Sequence, residues 1–178
     1  MQASAAELER RAARIKLLLM DCDGVLTDGR IWLLDGDDEQ KSFNARDGLG
    51  LKLLHKAGLQ SGIISGRASK AVELRARGLG MEFLYQGCDD KIKAFEEILA
   101  KAALIESQVA YLGDDLTDIP LIKRVGFGVA VGDAAPETRS VAHYVTKAVG
   151  GSGAIREVVE SILKSQGRWS DLVSHYLD

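Results

Sequence analysis

An apolar run that ends directly in two acids constrains this chain more than any other feature. Residues 15–20 read Ile-Lys-Leu-Leu-Leu-Met, and the segment Asp-Cys-Asp-Gly-Val-Leu-Thr-Asp-Gly follows at residues 21–29. A run this short and apolar is typical of a buried strand in a parallel sheet. Open sheets of that kind bind ligands at the carboxyl ends of their strands, and buried carboxylates are unfavourable unless paired or metal-bound. Asp21 and Asp23 are therefore candidates for a ligand site, with an ordinary acidic turn as the alternative.

The bulk properties are those of one soluble globular domain spanning residues 1–178. A net charge of −3 gives no reason to expect nucleic acid as the main partner. No stretch approaches the run of about 18 apolar residues that a membrane span needs, and residues 2–14 lack the apolar core of a signal peptide. We therefore expect a cytoplasmic protein with neither a nucleic-acid partner nor a membrane partner.

Two cysteines, Cys22 and Cys88, are too few for a disulfide scaffold and form no zinc-binding pattern. We expect both to be unpaired thiols without a catalytic role. The three histidines are far apart and share no ligand spacing. The chemistry of this chain must therefore come from other side chains.

Strand and helix patterns alternate along most of the chain. The predicted strands cover residues 15–20, 62–64, 81–85, 109–112, 128–131 and about 144–145. The predicted helices cover a segment before Arg14, about 48–57, 69–77, 90–103, a short stretch after 118, and a last helix opened by the glycines at 150–153. Repeated strand–helix–strand units predict an α/β fold, with a doubly wound, Rossmann-like parallel sheet and helices on both faces.

A β-hairpin is predicted over about residues 29–43 and should protrude from this sheet. Two strand-like runs, at 30–34 and 39–43, flank the Asp35-Gly36 turn signal. The first run contains four consecutive apolar residues, Ile31, Trp32, Leu33 and Leu34. Because an isolated hairpin is marginal in water, such a ribbon indicates an interface. The alternative is a hairpin that folds back on its own domain.

Polar side chains recur where the predicted elements meet one edge of the sheet. Asp21 and Asp23 follow the first strand, Ser65 follows the second, Lys91 opens a helix, and Asp114 follows a later strand. Clustered acids repel one another unless a cation lies among them. Oxygen-only ligands favour a hard cation, and Mg²⁺ suits a site with few carboxylates and several waters.

These residues form a complete set for phosphoryl transfer. A carboxylate can attack phosphorus and form an aspartyl-phosphate, and Asp21 is the candidate nucleophile. Asp23 would protonate the leaving alcohol and later deprotonate water. Asp21, the Asp23 carbonyl and Asp114 would hold the metal, while Ser65 and Lys91 would bind the non-bridging oxygens. Taken singly, Ser65 could mark a plain turn, and Lys91 could be a solvated lysine.

At these residues the chain resembles the capless branch of the haloacid dehalogenase superfamily. Its four signatures match residues 21–27, Ser65, Lys91 and residues 113–118. Further local matches lie at residues 23–29, 42–48, 63–67, 90–91 and 109–115, and the likeness runs from about 15 to 164. The resemblance implies magnesium-dependent hydrolysis of a phosphorylated acidic sugar of the lipopolysaccharide pathway. The leading substrate is 3-deoxy-D-manno-octulosonate 8-phosphate, and the rival is a nonulosonate 9-phosphate.

The resemblance also implies an assembly and a set of supporting residues. It implies a homotetramer in which the hairpins of four subunits pack together. Asp115 and Asp118 are expected immediately behind the metal ligands. The expected substrate contacts are Thr27, Gly66, Arg67 and Lys70.

Three features of the sequence bear on the substrate: one departure from the family pattern, the absence of a long insertion, and the C-terminal tail. Family members often carry Gly-Gly-Arg-Gly before the last helix, whereas this chain has Ser152 at the arginine position, with Arg156 further on. No long insertion follows Thr27 or Ser65, so substrate selection falls to the hairpin, a neighbouring subunit or the tail at about 166–178. That tail could dock on its own subunit, dock on a neighbour, or be mobile.

Two alternatives of another class remain open. A signalling receiver domain also gathers acids and a lysine around Mg²⁺, but its phosphorylated aspartate normally ends the third strand, where this chain offers Ser65. A non-catalytic relative could serve as an interaction module. Such relatives tend to lose catalytic acids, whereas Asp21, Asp23 and Asp114 are all present.

Overall fold

Six parallel strands form the main sheet of the computed structural model, which describes residues 4–34 and 39–177. The strands in chain order are β1 Leu17–Met20, β2 Trp32–Leu33, β3 Glu39–Gln40, β4 Gln60–Ile64, β5 Phe83–Tyr85, β6 Val109–Gly113, β7 Phe127–Ala130 and β8 Tyr144–Val145. The order across the sheet is β5-β4-β1-β6-β7-β8, and every neighbouring pair is parallel. This is the doubly wound order in which the strand sequence reverses beside β1, so the predicted fold class is confirmed.

The register of β1 brings three strand ends together. Met20 is aligned with Ile63 on one side and with Leu112 on the other. The residues that follow these three strands therefore leave the sheet at the same edge, beside the reversal point. All four residues of β1 have no exposed surface, as expected for a central parallel strand covered on both faces.

Eight α-helices lie in the described residues and flank the sheet. They are α1 Ala5–Ala12, α2 Ala45–Lys56, α3 Lys70–Leu79, α4 Lys91–Ala102, α5 Ile119–Arg124, α6 Pro136–Val141, α7 Ala154–Ser165 and α8 Trp169–Val173. Helices α1 and α2 pack on α7, while α4 and α6 pack on α5. None of the helices in these residues is long and apolar enough to cross a membrane.

Two of the helices that differ from the sequence prediction do so for local reasons. Helix α2 begins three residues early because Asn44 caps it, accepting hydrogen bonds from the backbone N–H of Arg46 (2.8 Å) and Asp47 (3.4 Å). Helix α6 was not predicted, and it begins at Pro136, a residue well suited to a first helical turn. Both differences follow from capping chemistry at helix starts.

The hairpin and the tail are both present in the described residues. Strands β2 and β3 pair antiparallel, with Trp32 opposite Gln40, which confirms the hairpin. The predicted Asp35-Gly36 turn lies outside the described residues. In the tail, α8 packs on α7 of its own chain, and Trp169 lies against the Arg156 guanidinium at 5.0 Å. Residues 169–173 thus dock on their own subunit.

Candidate active site

Asp21 lies at the carboxyl end of β1 and is almost fully buried. Its backbone N–H continues the sheet by donating to the Leu112 carbonyl at 3.0 Å. One side-chain oxygen accepts from the Cys22 backbone N–H at 2.7 Å, and the other lies 2.9 Å from Lys91 Nζ. The nucleophile candidate is therefore held by the central strand, by a backbone donor and by a cation.

Lys91 is the first residue of α4 and is 9% exposed. Asp90 caps this helix, accepting from the backbone N–H of Ile92 at 2.9 Å. A cation at a helix N-terminus is opposed by the helix dipole, so acids elsewhere must stabilise it. The ammonium lies between Asp21 and Asp118 and donates to Asp118 at 2.7 Å. Lys91 is therefore a buried residue of the acidic cluster and not a solvated lysine on the surface.

Asp118 organises the loop that follows β6. Its Oδ1 accepts from Lys91 and, at 2.7 Å, from the hydroxyl of the fully buried Tyr111. Its Oδ2 accepts from the backbone N–H of Asp114 at 2.9 Å and of Asp115 at 3.3 Å. Both oxygens of Asp118 are thus engaged, and its place behind the metal ligands stays a prediction. Tyr111 is a contributor that the sequence prediction missed.

Asp114 supplies a carboxylate with an unused oxygen. Its Oδ1 is buried and has no hydrogen-bond partner. Ligand atoms from Asp21, Asp114 and Asp118 all lie within 4.8 Å of one another. An unpaired buried acceptor beside two other carboxylates is the arrangement that a hard divalent cation satisfies. The residues present therefore fit Mg²⁺.

The acidity of these carboxyls records the same crowding. Burial raises the pKa of Asp21 to about 6, and the negative charge of Asp118 adds to this rise. Burial likewise raises the pKa of Asp114 to about 8, with further contributions from Asp118 and Asp21. Lys91 opposes both shifts but does not cancel them. The cluster thus carries more negative charge than its lysine neutralises.

Gly24 allows Asp114 to come this close to the loop after β1. Its φ is +84°, in the left-handed region that favours glycine, and a Cβ there would lie 2.1 Å from Asp114 Oδ2. A side chain at residue 24 would push Asp114 out of the cluster. Glycine at residue 24 therefore lets the loop after β1 and Asp114 pack closely together.

The Asp23 side chain has different partners from the Asp21 side chain. Its Oδ1 accepts from the Lys41 ammonium, and its Oδ2 lies 3.5 Å from Arg67 Nε. Lys41 and Arg67 also contact the Glu39 carboxylate, at 3.3 Å and 2.9 Å. Burial alone would lower the pKa of Lys41, but the hydrogen bond and charge of Asp23 raise it above its ordinary value. Lys41 and Glu39 were not predicted as site residues.

The remaining predicted residues occupy less central positions. Ser65 is buried at the end of β4, and its hydroxyl accepts from the Arg67 backbone N–H at 3.3 Å. Asp115 is exposed and accepts from the Leu116 backbone N–H at 2.7 Å. Gly66 and Lys70 are exposed, the first next to Ser65 and the second at the start of α3. Their substrate contacts stay predictions.

Thr27 lies buried in the loop after β1. It has no exposed surface. Its hydroxyl donates to the Cys22 carbonyl at 3.4 Å and accepts from the Gly29 backbone N–H at 3.2 Å. Thr27 thus holds the loop after β1 together in this conformation, and its substrate contact stays a prediction.

Asp47 is a further residue that the sequence prediction missed. It lies fully buried in the first turn of α2. Its carboxylate accepts from the backbone N–H of Gly153 at 3.1 Å and of Arg156 at 2.8 Å, at the start of α7. Burial raises the pKa of Asp47, although these two backbone hydrogen bonds oppose the rise. The glycine segment before α7 is thereby fixed beside the site.

Comparison with known proteins gives the class of this chain. A family profile described as haloacid dehalogenase-like hydrolase matches residues 81–158. Curated relatives 44% and 46% identical align over 92% of the chain. The chain therefore belongs to the haloacid dehalogenase-like hydrolases.

Those relatives are named 3-deoxy-D-manno-octulosonate 8-phosphate phosphatase KdsC. The protein from Yersinia pestis is 46% identical over 164 residues, which cover 88% of its length. The protein from Escherichia coli K12 is 44% identical over 164 residues, which cover 87% of its length. A solved structure of the Moraxella catarrhalis phosphatase of that name, in complex with a magnesium ion, a phosphate ion and a KDO molecule, superposes with a TM-score of 0.94 at 40% identity, covering 97% of this chain and 99% of that one.

Proposed function

We propose that this chain hydrolyses 3-deoxy-D-manno-octulosonate 8-phosphate to 3-deoxy-D-manno-octulosonate and phosphate, with Mg²⁺ as cofactor, in lipopolysaccharide biosynthesis. The names of its relatives and the ligands of the Moraxella structure support the substrate and the metal. The observation that carries the proposal is local: a buried Asp21 oxygen lies 2.9 Å from Lys91, beside an Asp114 oxygen that has no hydrogen-bond partner. This pairs a nucleophile with an anion-stabilising cation and an open metal ligand.

In the first step an oxygen of Asp21 attacks phosphorus, and the bond between phosphorus and the sugar oxygen breaks. Asp23 donates a proton to that oxygen, so the sugar leaves as an alcohol. Lys91 and Ser65 bind the non-bridging oxygens as charge moves onto them. Asp21, the Asp23 carbonyl and Asp114 would hold Mg²⁺, which when bound reduces the repulsion between the carboxylate and the phosphate.

In the second step water attacks the aspartyl-phosphate on Asp21. Asp23, now ionised, takes the proton from that water. The bond between phosphorus and the Asp21 oxygen breaks, and inorganic phosphate is released with the carboxylate restored. Lys91 remains paired with Asp118 throughout, which keeps it aimed at the oxygens of the phosphoryl group.

The direct test is phosphate release from the octulosonate 8-phosphate by wild type and by Asp21→Asn. We expect the substitution to lower turnover by at least about 1000-fold, because the amide cannot form the acyl-phosphate intermediate. Asp171→Asn, on the exposed surface of α8, is the control and should retain activity. Undiminished phosphate release by Asp21→Asn would remove Asp21 as nucleophile, and full activity after removal of divalent ions would remove the metal.

The same assay separates the leading substrate from its rival. An exposed Ser152 stands in place of the family arginine, so this assay tests how the acid sugar is recognised without that side chain. We expect a higher kcat/KM for the eight-carbon substrate than for a nonulosonate 9-phosphate. The reverse order would assign the chain to the nine-carbon sugar while leaving the reaction class intact.

The geometry weighs against a receiver-like role. Receiver sheets follow the order 2-1-3-4-5, whereas this sheet has its first strand between the second and the fourth of its six parallel strands. A non-catalytic module is disfavoured because Asp21, Lys91 and Asp118 keep their mutual contacts. Failure to release phosphate from any sugar phosphate with Mg²⁺ would return both alternatives to consideration.

We also propose a homotetramer, a single domain over residues 1–178, and a cytoplasmic location. The hairpin supports the assembly, because Ile31, Trp32, Leu33 and Leu34 are 44% to 79% exposed and consecutive. Both cysteines are free, which is compatible with a reducing compartment. Leu33→Glu should dissociate the tetramer in light scattering, whereas Ile105→Glu, at an isolated exposed residue, should not. A monomeric wild type would contradict the assembly.

A further inference from the structure

The hairpin reaches Asp23 through one buried side chain. Lys41 follows β3 directly, and its side chain is only 1% exposed. Its ammonium contacts the Asp23 carboxylate and lies 3.3 Å from Glu39 Oε1, within the same hairpin. A lysine this deeply buried is uncommon unless it is paired, so the pairing has to be part of the structure of the site.

Arg67 closes the group from the other side. It belongs to the loop after β4, and it contacts Asp23 Oδ2 at 3.5 Å and Glu39 Oε2 at 2.9 Å. With Asp23 ionised, as it is after giving up its proton, two cations and two carboxylates make the group neutral, and both side-chain oxygens of Asp23 have a partner in it. We call these four residues, Asp23, Glu39, Lys41 and Arg67, the hairpin cluster.

The two cations of the hairpin cluster are not equivalent. The Arg67 side chain is 50% exposed, so solvent screens its ion pairs and its long side chain is free to move. Lys41 is shielded and makes the shorter contact with Asp23. The orientation of the Asp23 carboxyl is therefore set mainly by Lys41, and through Lys41 by the hairpin.

We propose that Lys41 is a positioning residue for the general acid–base step: it holds the Asp23 carboxyl in place for proton transfer and ties that carboxyl to the hairpin. The inference rests on the proposed phosphatase function. It goes further, because it makes the hairpin part of the acid–base machinery in addition to its proposed place in the subunit interface.

Leaving-group chemistry separates positioning from a merely structural role. A sugar alkoxide is a poor leaving group and needs the proton from Asp23, whereas p-nitrophenolate leaves without one. The ratio kcat/KM reports steps up to the first irreversible one, here release of the alcohol or phenol, so it excludes the later hydrolysis of the aspartyl-phosphate. A misplaced Asp23 should therefore lower kcat/KM for the sugar phosphate selectively.

The experiment compares wild type with Lys41→Met on both substrates with Mg²⁺. We expect kcat/KM to fall by about 100-fold on the sugar phosphate and by less than about 3-fold on p-nitrophenyl phosphate. Lys41→Arg, which retains the positive charge and the charge-assisted hydrogen bond to Asp23, should recover at least about a tenth of the sugar phosphate activity. Lys164→Met, which removes an exposed pair with Glu160, is the matched control and should change neither ratio.

Every other pattern contradicts the proposal. Equal losses on both substrates would mean that Lys41 supports the fold alone, and no loss on either would mean that Asp23 needs no support from it. If Lys41→Met does not fold, as judged by circular dichroism, Glu39→Gln is the substitute, and a smaller loss with the same selectivity is expected. A wild type inactive on both substrates would instead defeat the proposed function.

Discussion

Two buried lysines each bridge a pair of carboxylates at this site, and they are supported in different ways. Lys91 lies 2.9 Å from Asp21 and 2.7 Å from Asp118, and the latter is also bound by the buried Tyr111 of β6. Lys41 joins Asp23 to Glu39, a residue of a two-residue strand. The nucleophile side, with Asp21, Lys91 and Asp118, is thus held at the edge of the buried sheet, and we call it the sheet side. The acid–base side, with Asp23 and Lys41, depends on the hairpin, and we call it the hairpin side.

This difference implies that the two parts of the site differ in local stability. The Lys91 side is anchored in strands with no exposed surface. The other side depends on a hairpin whose first strand is exposed and which would be marginal by itself. Local opening should therefore occur at the hairpin at a lower free energy than at the sheet edge. Each prediction below breaks or sharpens this contrast.

The largest effect is expected for Lys91→Met. Turnover should fall by at least about 1000-fold, because a cation aimed at the transferring phosphoryl group is lost. Two buried acids also lose their partner, so the free energy of unfolding should drop by about 3 to 5 kcal/mol. Phosphate release and urea denaturation measure the two effects. Lys164→Met is the surface control, and an equal stability loss in Lys41→Met would end the contrast between the two sides.

Asp47→Ala tests whether the segment leaving the hairpin is fixed to the core. It leaves the backbone N–H groups of Gly153 and Arg156 without their buried acceptor, so the free energy of unfolding should fall by about 2 to 4 kcal/mol. Asp133→Ala is the matched control, because Asp133 binds the Gly150 N–H from an exposed position. Urea denaturation of both variants is the measurement, and similar small losses would contradict the buried role.

Magnesium affinity should rise with pH because of two acids of the sheet side, Asp21 and Asp114. With pKa values raised to about 6 in Asp21 and about 8 in Asp114, metal-free protein holds protons that Mg²⁺ must displace. Affinity should therefore increase by up to about tenfold per pH unit between pH 6 and 8, and level off above. Calorimetry in two buffers of different ionisation enthalpy counts the protons released.

Histidine titration is the competing explanation for such a pH dependence. Burial lowers the pKa of His143 below its ordinary value, so its titration is displaced away from the upper part of this pH range. His143→Gln should therefore leave the dependence of Mg²⁺ affinity on pH unchanged. An affinity that is flat from pH 6 to 8 in the wild type would mean that the acids are already ionised in the metal-free protein.

The smallest effect is expected for Tyr111→Phe. Asp118 Oδ1 loses one donor but keeps Lys91 at 2.7 Å, so the free energy of unfolding should fall by only about 1 kcal/mol. Urea denaturation checks this value. A loss as large as that of Lys91→Met would show that the hydroxyl, and not the ammonium, holds the sheet side together.

The sheet side of the site could be predicted because its logic is local. Asp21, Ser65 and Asp114 each follow a short apolar strand, and carboxyl ends of parallel strands share an edge whatever the details of packing. Lys91 opens a predicted helix next in the chain, and it supplies the cation that completes the set of roles for phosphoryl transfer. These signals lie within a few residues of each functional side chain, so the sequence carries them directly.

The hairpin side could not be predicted in the same way. Lys41 is buried only because the hairpin folds toward Asp23, 18 positions earlier, and an isolated lysine normally indicates a solvated surface. Asp47 resembles any acid in a first helical turn, and its partners come more than 100 positions later. Tertiary placement decides both roles, and no local pattern reports it.

Gly150 and Gly151 pack directly against the backbone of the loop that follows β1. A Cβ at residue 150 would lie 1.8 Å from the Gly24 carbonyl oxygen, and one at residue 151 would lie 2.4 Å from the Asp28 nitrogen. The loop that carries the acids is thus made early but moulded by a segment translated more than 120 residues later. A nascent chain that stops short of that segment contains every proposed catalytic side chain. It still lacks the backbone of residues 150–151, against which the loop after β1 packs.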